Sequence, residues 1–251
     1  MVDIHSHVLY GLDDGAKDRD LSLAMLRMAA DDGTTDIVAT PHSDLKYYWQ
    51  PEEIDRQLAD LAQIPGLPRI HRGCDFHLFV ENIEDCFQNP SKYTVNGKRY
   101  LLVEFANHLI PGNIPSVFDR MRTLGITPII THPERNLILS KQPDRIAEWV
   151  RSGCRIQVTA QSLSGRFGKR AEHSARQLMA RGLVHFLASD AHDLEHRPPK
   201  LRSAFELVER EYGSGVAATL LNGNPAAVLI GEEVPERIEG MTKPRRWFKL
   251  W

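Results

Sequence analysis

Short apolar runs alternate with helix-patterned segments from end to end of this chain, and that alternation restricts it to a parallel α/β fold. Residues 2–4, 36–40, 69–74, 100–104, 128–131, 155–159 and 184–188 read as strands. Between them the spacing predicts helices: residues 21–28 stopping before Gly33, 51–61 opening on Pro51, 114–124 ended by Gly125, 144–153 ended by Gly153, then 170–181 and 201–212. Seven strands with mostly helical connections imply parallel pairing under a cover of helices, as an open sheet or a barrel. A length of 251 residues suits one such domain, about residues 1–232, followed by a tail at 233–251.

The second constraint is where the metal-binding residue types fall. The first strand ends in His5 and His7, and its loop carries Asp13, Asp14 and Gly15. The second is followed by His42 and the third by Asp75, the fourth ends at Glu104, and the fifth is followed by His132. The seventh is followed by Asp190 and His192. Parallel α/β folds gather functional groups at the carboxyl ends of their strands, so these residues are expected to converge. Such a set of imidazoles and carboxylates is unfavourable unless cations compensate it, and the mixture suits Zn, Mn or Fe better than Ca. There are more ligands than one ion accepts, which implies several ions and hydrolysis of a phosphoester. Arg135 and Arg197 accompany the cluster, either to hold phosphate oxygens or to make salt bridges within their loops. His77 and His108 lie just past strand ends, where they line the mouth or, as the lesser alternative, add ligands; His71, His173, His185 and His196 fall outside the pattern.

Other chemistries fit less well. Cys74, Cys86 and Cys154 are followed six residues on by Val80, Lys92 and Ala160, so none has the arginine a thiolate phosphatase needs. The segment from Gly165 to Arg170 lacks the spacing and the Ser/Thr of a phosphate-binding P-loop. A net charge of -2 gives no basic field for nucleic acid. With neither a leader pattern nor a spanning apolar run, the expected location is cytoplasmic. In the tail, Lys243, Arg245, Arg246 and Lys249 interleave with Trp247, Phe248, Leu250 and Trp251. That pattern fits packing on the domain, self-association into a homo-oligomer, or peripheral contact with an anionic membrane.

Taken together, these motifs resemble a known family. Asp3-Ile-His5-Ser-His7 with Asp13-Asp14-Gly15 is similar to the opening of the PHP (polymerase and histidinol phosphatase) superfamily. The segment from Leu9 to Gly15, the Thr-His-Pro-Glu-Arg block ending at Arg135, and Ser189-Asp-Ala-His192 with Arg197-Pro-Pro resemble the manganese-dependent tyrosine phosphatases of bacterial capsule and exopolysaccharide operons. The resemblance implies a single-domain PHP fold, a distorted (β/α)7 TIM-like barrel. It also implies three divalent ions, manganese first, with Fe, Co or Zn as alternatives. By the same resemblance His5, His7, Asp75 and Asp190 would hold the first ion. Asp75, Glu104 and His132 would hold the second, with Asp75 bridging, and Asp14, His42 and His192 the third. Arg135 and Arg197 match the phosphate-binding arginines. The chain departs from the family at Asp75, where the family carries Glu, one methylene longer.

The implied activity is removal of phosphate from the tyrosine-rich tail of an autokinase that controls polysaccharide synthesis, by in-line attack without a phosphoenzyme. The alternative keeps the site and changes the substrate to a small phosphomonoester such as histidinol phosphate.

Overall fold

The computed structural model describes residues 1–241, so the basic and aromatic residues 243–251 lie outside the described residues. Nine strands occur among the described residues: β1 (Val2–Ser6), β2 (Asp36–Ala39), β3 (His42–Ser43), β4 (Arg69–Arg72), β5 (Asp75–His77), β6 (Tyr100–Glu104), β7 (Thr127–Thr131), β8 (Arg155–Thr159) and β9 (Phe186–Ala188). Every ladder is parallel. They form two sheets, one ordered β1-β2-β4 and the other β3-β5-β6-β7-β8-β9.

The α/β class and parallel pairing agree with the alternation in the sequence, but the ladders do not close into the expected barrel. Two of the seven expected strands, 36–40 and 69–74, are each followed by a further short strand, β3 and β5. Between β2 and β3 stands Pro41, which has no N–H to give a ladder. Between β4 and β5 stands Gly73, where an added Cβ would lie 2.6 Å from Val38 Cγ1, so only glycine lets the backbones approach. Single bonds cross the breaks, from Gly73 N to Ala39 O (2.9 Å) and from Asp75 N to Pro41 O (3.2 Å). At the opposite seam Ser6 and Ala191 form an isolated parallel bridge, and Asp190 N donates to His5 O at 2.9 Å. This seam sets Asp190 beside the end of β1.

The major helices are α1 (Arg19–Asp31), α2 (Pro51–Leu61), α3 (Val80–Gln88), α4 (Ile114–Thr123), α5 (Pro143–Arg151), α6 (Gly168–Ala180) and α7 (Arg202–Tyr212). Six of these coincide with sequence expectations to within about three residues. The exception is α3, whose entry residue Phe79 provides no side-chain cap and so no start signal. After α7 come α8 (Ser214–Ala218), a π turn (Thr219–Gly223) and α9 (Asn224–Ile230), also absent from the sequence reading.

The central strands are buried on both faces: Leu101, Leu102 and Val103 have no exposed surface, as strands covered by helices require. Helix α5 shows how the helices dock. Pro143 starts it, and Ile146, Trp149 and Val150 fall on one buried stripe. Trp149 stacks on Phe105 at 5.3 Å and meets Phe118 edge-on at 5.6 Å. Phe105 directly follows Glu104, so this packing also fixes the end of β6. At the opposite end of the sheets, residues 233–241 return to the domain. Arg155 Nη2 donates to Val234 O at 2.7 Å and Val234 N donates to the Tyr100 hydroxyl at 2.9 Å, while Val234, Ile238 and Met241 are buried.

Trp149→Ala is expected to cost about 3–5 kcal/mol in equilibrium urea unfolding, through lost apolar contact and a residual cavity. A loss below about 1 kcal/mol would show that the aromatic cluster does not hold the end of β6.

Candidate metal centre

The strand ends bring every ligating residue expected from the sequence to one place. His7, Asp14, His42 and His192 offer ligand atoms within 4.8 Å of one another, as do His5, His7 and Asp75. A further group joins His5, His132 and Asp190, and another joins His42, Asp75, His77 and Glu104. Glu104 therefore groups with His77 and His42, whereas His132 Nε2 lies 3.8 Å from Glu104 Oε1 and 3.9 Å from Asp190 Oδ2. His77 belongs to the cluster, a position that the sequence signalled first as lining the mouth and second as a ligand.

Local folding explains the convergence. His5 and His7 stand two residues apart at the end of β1, and their Nε2 atoms are 3.3 Å apart. The loop after β1 must then turn tightly beneath them. A Cβ on Gly15 would fall 2.1 Å from His7 O, so glycine alone permits the close approach that seats Asp13 and Asp14. Two of the expected ligands, His132 (φ 31°) and Asp190 (φ 51°), occupy left-handed backbone rare for residues with a Cβ. Strain of this kind, about 1–3 kcal/mol per residue, persists where it positions functional groups. Both residues begin the turns that leave β7 and β9.

The imidazoles are oriented by their other nitrogen. His5 Nδ1 donates to Gln157 Oε1 at 3.0 Å, His7 Nδ1 to Asp13 Oδ2 at 2.7 Å, and His192 Nδ1 to Asp190 O at 3.0 Å. Each bond leaves Nε2 for the shared space, the arrangement by which metal-binding histidines are fixed in tautomer and direction. Asp13 also accepts from the backbone N–H of His42 at 3.1 Å. Gln157 was not among the expected site residues, and Asp13 was expected to converge with the cluster but not to orient His7. A glutamine inside a buried strand was the available signal for the first, and adjacency to Asp14 for the second.

Electrostatics set the protonation of the cluster. Burial presses the Asp190 carboxyl toward its neutral form, but Arg135, His5 and Arg197 hold it well below the usual carboxylate range. Burial likewise opposes the charge on Asp75, and His5 and His42 reverse the effect. Glu104 moves the other way, pushed up by burial and by the charge on Asp75. Burial disfavours a charged His5, yet Asp190 and Asp75 raise it to about 9; His42 rises to about 12, its burial outweighed by Asp14 and Asp75. His132 is held well below its ordinary value by burial and Arg135, and His192 falls to about 4 through burial and His7. Asp75 is thus held charged by protons on His5 and His42, and Asp190 by Arg135 together with the proton on His5. Divalent cations would take the place of those protons.

The donor set fits such ions. Among the described residues, both oxygens of Asp75, Asp190 Oδ1, Glu104 Oε2, His42 Nδ1, His77 Nε2 and His192 Nε2 are buried without a hydrogen-bond partner. Unpaired buried polar atoms are costly, and here seven such atoms occur in one cluster. Asp190 divides its two oxygens. Oδ2 pairs with both Arg135 and Arg197, whereas Oδ1 lies 3.4 Å from His5 Nε2 and 3.5 Å from His7 Nε2. Arg135 also lies over the Phe167 ring, 4.3 Å from its centroid. The cysteines are buried, with thiols pushed above their ordinary values by desolvation, so they offer no thiolate nucleophile.

Beside Glu104 and His77 opens a cleft of about 420 Å³ lined mainly by Leu45, Leu78, Phe79, Phe105, Leu109 and Pro111. Leu45 and Leu109 are largely exposed at its rim. Among the described residues no helix is long and apolar enough to cross a membrane.

Comparison with known proteins places this geometry. The CpsB/CapC family model, described as capsular polysaccharide synthesis, matches residues 1–230. Tyrosine-protein phosphatase YwqE of Bacillus subtilis (strain 168) is 32% identical over 253 residues, 99% of each chain. Tyrosine-protein phosphatase CpsB of Streptococcus pneumoniae is 30% identical over 244 residues, 92% of this chain and 99% of the relative. A crystal structure from a study of YwqE and CpsB, there described as unique metal-dependent tyrosine phosphatases, matches with a TM-score of 0.87 at 30% identity, covering 98% of this chain and 100% of that one.

Gln157→Leu should weaken bound divalent metal about 10–100-fold in chelator competition, because His5 loses the partner that fixes its ring. Unchanged metal affinity would remove Gln157 from the supporting set.

Proposed function

The chain belongs to the CpsB/CapC family of capsular polysaccharide synthesis, and from that premise we propose that it is a metal-dependent protein-tyrosine phosphatase. The observation that carries the reading is the cluster of buried, unpartnered ligand atoms beside two guanidinium groups. The substrate we assign is the phosphotyrosine tail of an autokinase governing capsule or exopolysaccharide synthesis. The apolar cleft supports an aryl phosphate, since a phenol ring would bury its faces there while its phosphate lay toward Glu104 and the metal ligands.

Three divalent ions, manganese foremost, are the proposed complement. His5, His7, Asp75 and Asp190 would hold one, Asp75, Glu104 and His132 a second, and Asp14, His42 and His192 a third. Such ions supply an activated water as nucleophile and neutralise phosphate charge when bound. The protein's own part is orientation and charge. Gln157 and Asp13 hold His5 and His7 in register, and Arg135 and Arg197 bind the non-bridging phosphoryl oxygens as charge spreads onto them. A phenolate leaving group, with pKa about 10, departs with little protonation, so the scheme needs no dedicated general acid. The two sheets we read as one distorted seven-stranded barrel, interrupted at Pro41 and Gly73 and joined at the Ser6–Ala191 bridge. The phosphatase domain is assigned to residues 1–232, continued by the packed residues up to 241 ahead of the tail.

The test compares turnover of a phosphotyrosyl peptide with that of histidinol phosphate by protein loaded with manganese. The phosphotyrosyl peptide is expected to have the higher kcat/KM, and the opposite order would move the chain to small phosphomonoesters. Arg135→Ala and Arg197→Ala are expected to keep full metal content and lose about 100-fold or more in kcat/KM. Metal loss in step with activity loss would make both arginines structural.

A further inference from the structure

We propose that His77 is itself a metal ligand, completing with Asp75 and Glu104 the site of one divalent ion; the inference rests on the metal-dependent reading above. Strand β5 carries Asp75 and His77 two residues apart, so the alternation of side chains along a strand puts both on one face. In the β5–β6 ladder His77 stands opposite Glu104. His77 Nε2 lies 3.1 Å from Glu104 Oε2, close enough for a hydrogen bond. Yet both atoms are buried and neither has a hydrogen-bond partner among the described residues. Two ligand atoms each about 2.1 Å from a shared ion stand roughly 3.0–3.4 Å apart. The spacing is thus that of neighbouring ligands, without the alignment of a hydrogen bond.

Beside His132, which approaches the other oxygen of Glu104, the remaining imidazole of this group is His42, and its geometry leaves the role to His77. His42 Nε2 lies 3.3 Å from Asp14, while its Nδ1 lies 3.2 Å from Asp75 and 3.6 Å from Glu104. An imidazole that binds an ion through Nε2 in the Asp14 cluster carries its proton on Nδ1, which then donates to a carboxylate. His42 so engaged orients Asp75 and gives no lone pair to the ion between Asp75 and Glu104. His77 Nε2 falls within 4.8 Å of the ligand atoms of Asp75 and Glu104 and can supply it. An added imidazole also moves the preference of this site from oxygen-seeking ions toward Zn, Co or Fe.

The experiment reconstitutes the full-length protein with Co²⁺ and reads bound cobalt per chain, chelator competition and electronic absorption. His77→Ala is expected to lose one cobalt per chain, or to hold it about tenfold or more weakly, with a change in the ligand-field bands. His77→Cys is expected to add a thiolate-to-cobalt charge-transfer band absent from the wild type, whose three cysteines are buried. This second variant decides the matter even if His77→Ala folds poorly, because the band appears only when residue 77 reaches the ion. Wild-type stoichiometry, affinity and spectrum in His77→Ala, with no new band in His77→Cys, would reduce His77 to an ion-pair partner of Glu104 and overturn the proposal. A wild-type protein that took up no cobalt, manganese or zinc would overturn metal dependence itself, which separates the two failures.

Discussion

Two buried carboxylates, Asp75 and Asp190, set the conditions that the rest of the site must meet. Neither has more than 1% of its surface exposed. A carboxylate in such a position costs several kcal/mol unless cations and hydrogen bonds surround it. Asp190 divides the task between its oxygens, one facing Arg135 and Arg197 and the other facing His5 and His7. Asp75 has no arginine and depends on His5 and His42, 3.5 Å and 3.2 Å away. The parallel ladders make this compensation geometric. The ends of β1, β3, β5, β6, β7 and β9 each deliver one or two candidate ligands to the same place, so cationic and anionic groups from distant parts of the chain meet without long loops.

That delivery explains how much could be read from the sequence. The strand-ending positions of His5, His7, His42, Asp75, Glu104, His132, Asp190 and His192 were legible because periodicity locates strands and parallel topology fixes which end is functional. Most helices were legible for the related reason that apolar stripes and terminal glycines or prolines mark their limits. The breaks at Pro41 and Gly73 were not. A proline tolerated beside a strand and a glycine required by Val38 across the ladder look alike in one dimension, and only the partner strand decides the outcome.

The supporting residues were hidden for a different reason. Gln157 sits on β8, 152 positions from the His5 ring that it orients. No local pattern encodes that pairing; the only trace is an amide side chain in a buried strand. The left-handed backbone at His132 and Asp190 was equally invisible, since neither residue type announces a positive φ. Both cases show structure bending ordinary local preferences at the place where the chemistry collects.

The shared residues also make the clusters one electrostatic unit. His7 belongs to two of the groups, as do His5, His42 and Asp75, so no single group can be altered alone. Asp75 stays charged because His5 and His42 face it, and Glu104 is pushed toward protonation because Asp75 is charged. Removing one candidate ligand therefore changes the charge felt by its neighbours as well as vacating its own position. Substitutions across the centre should combine non-additively, as expected for residues in one network. The arginines stand partly outside this coupling. Both guanidinium groups pair with the Asp190 oxygen that faces away from His5 and His7, so their positive charge stands to one side of the space the imidazoles share.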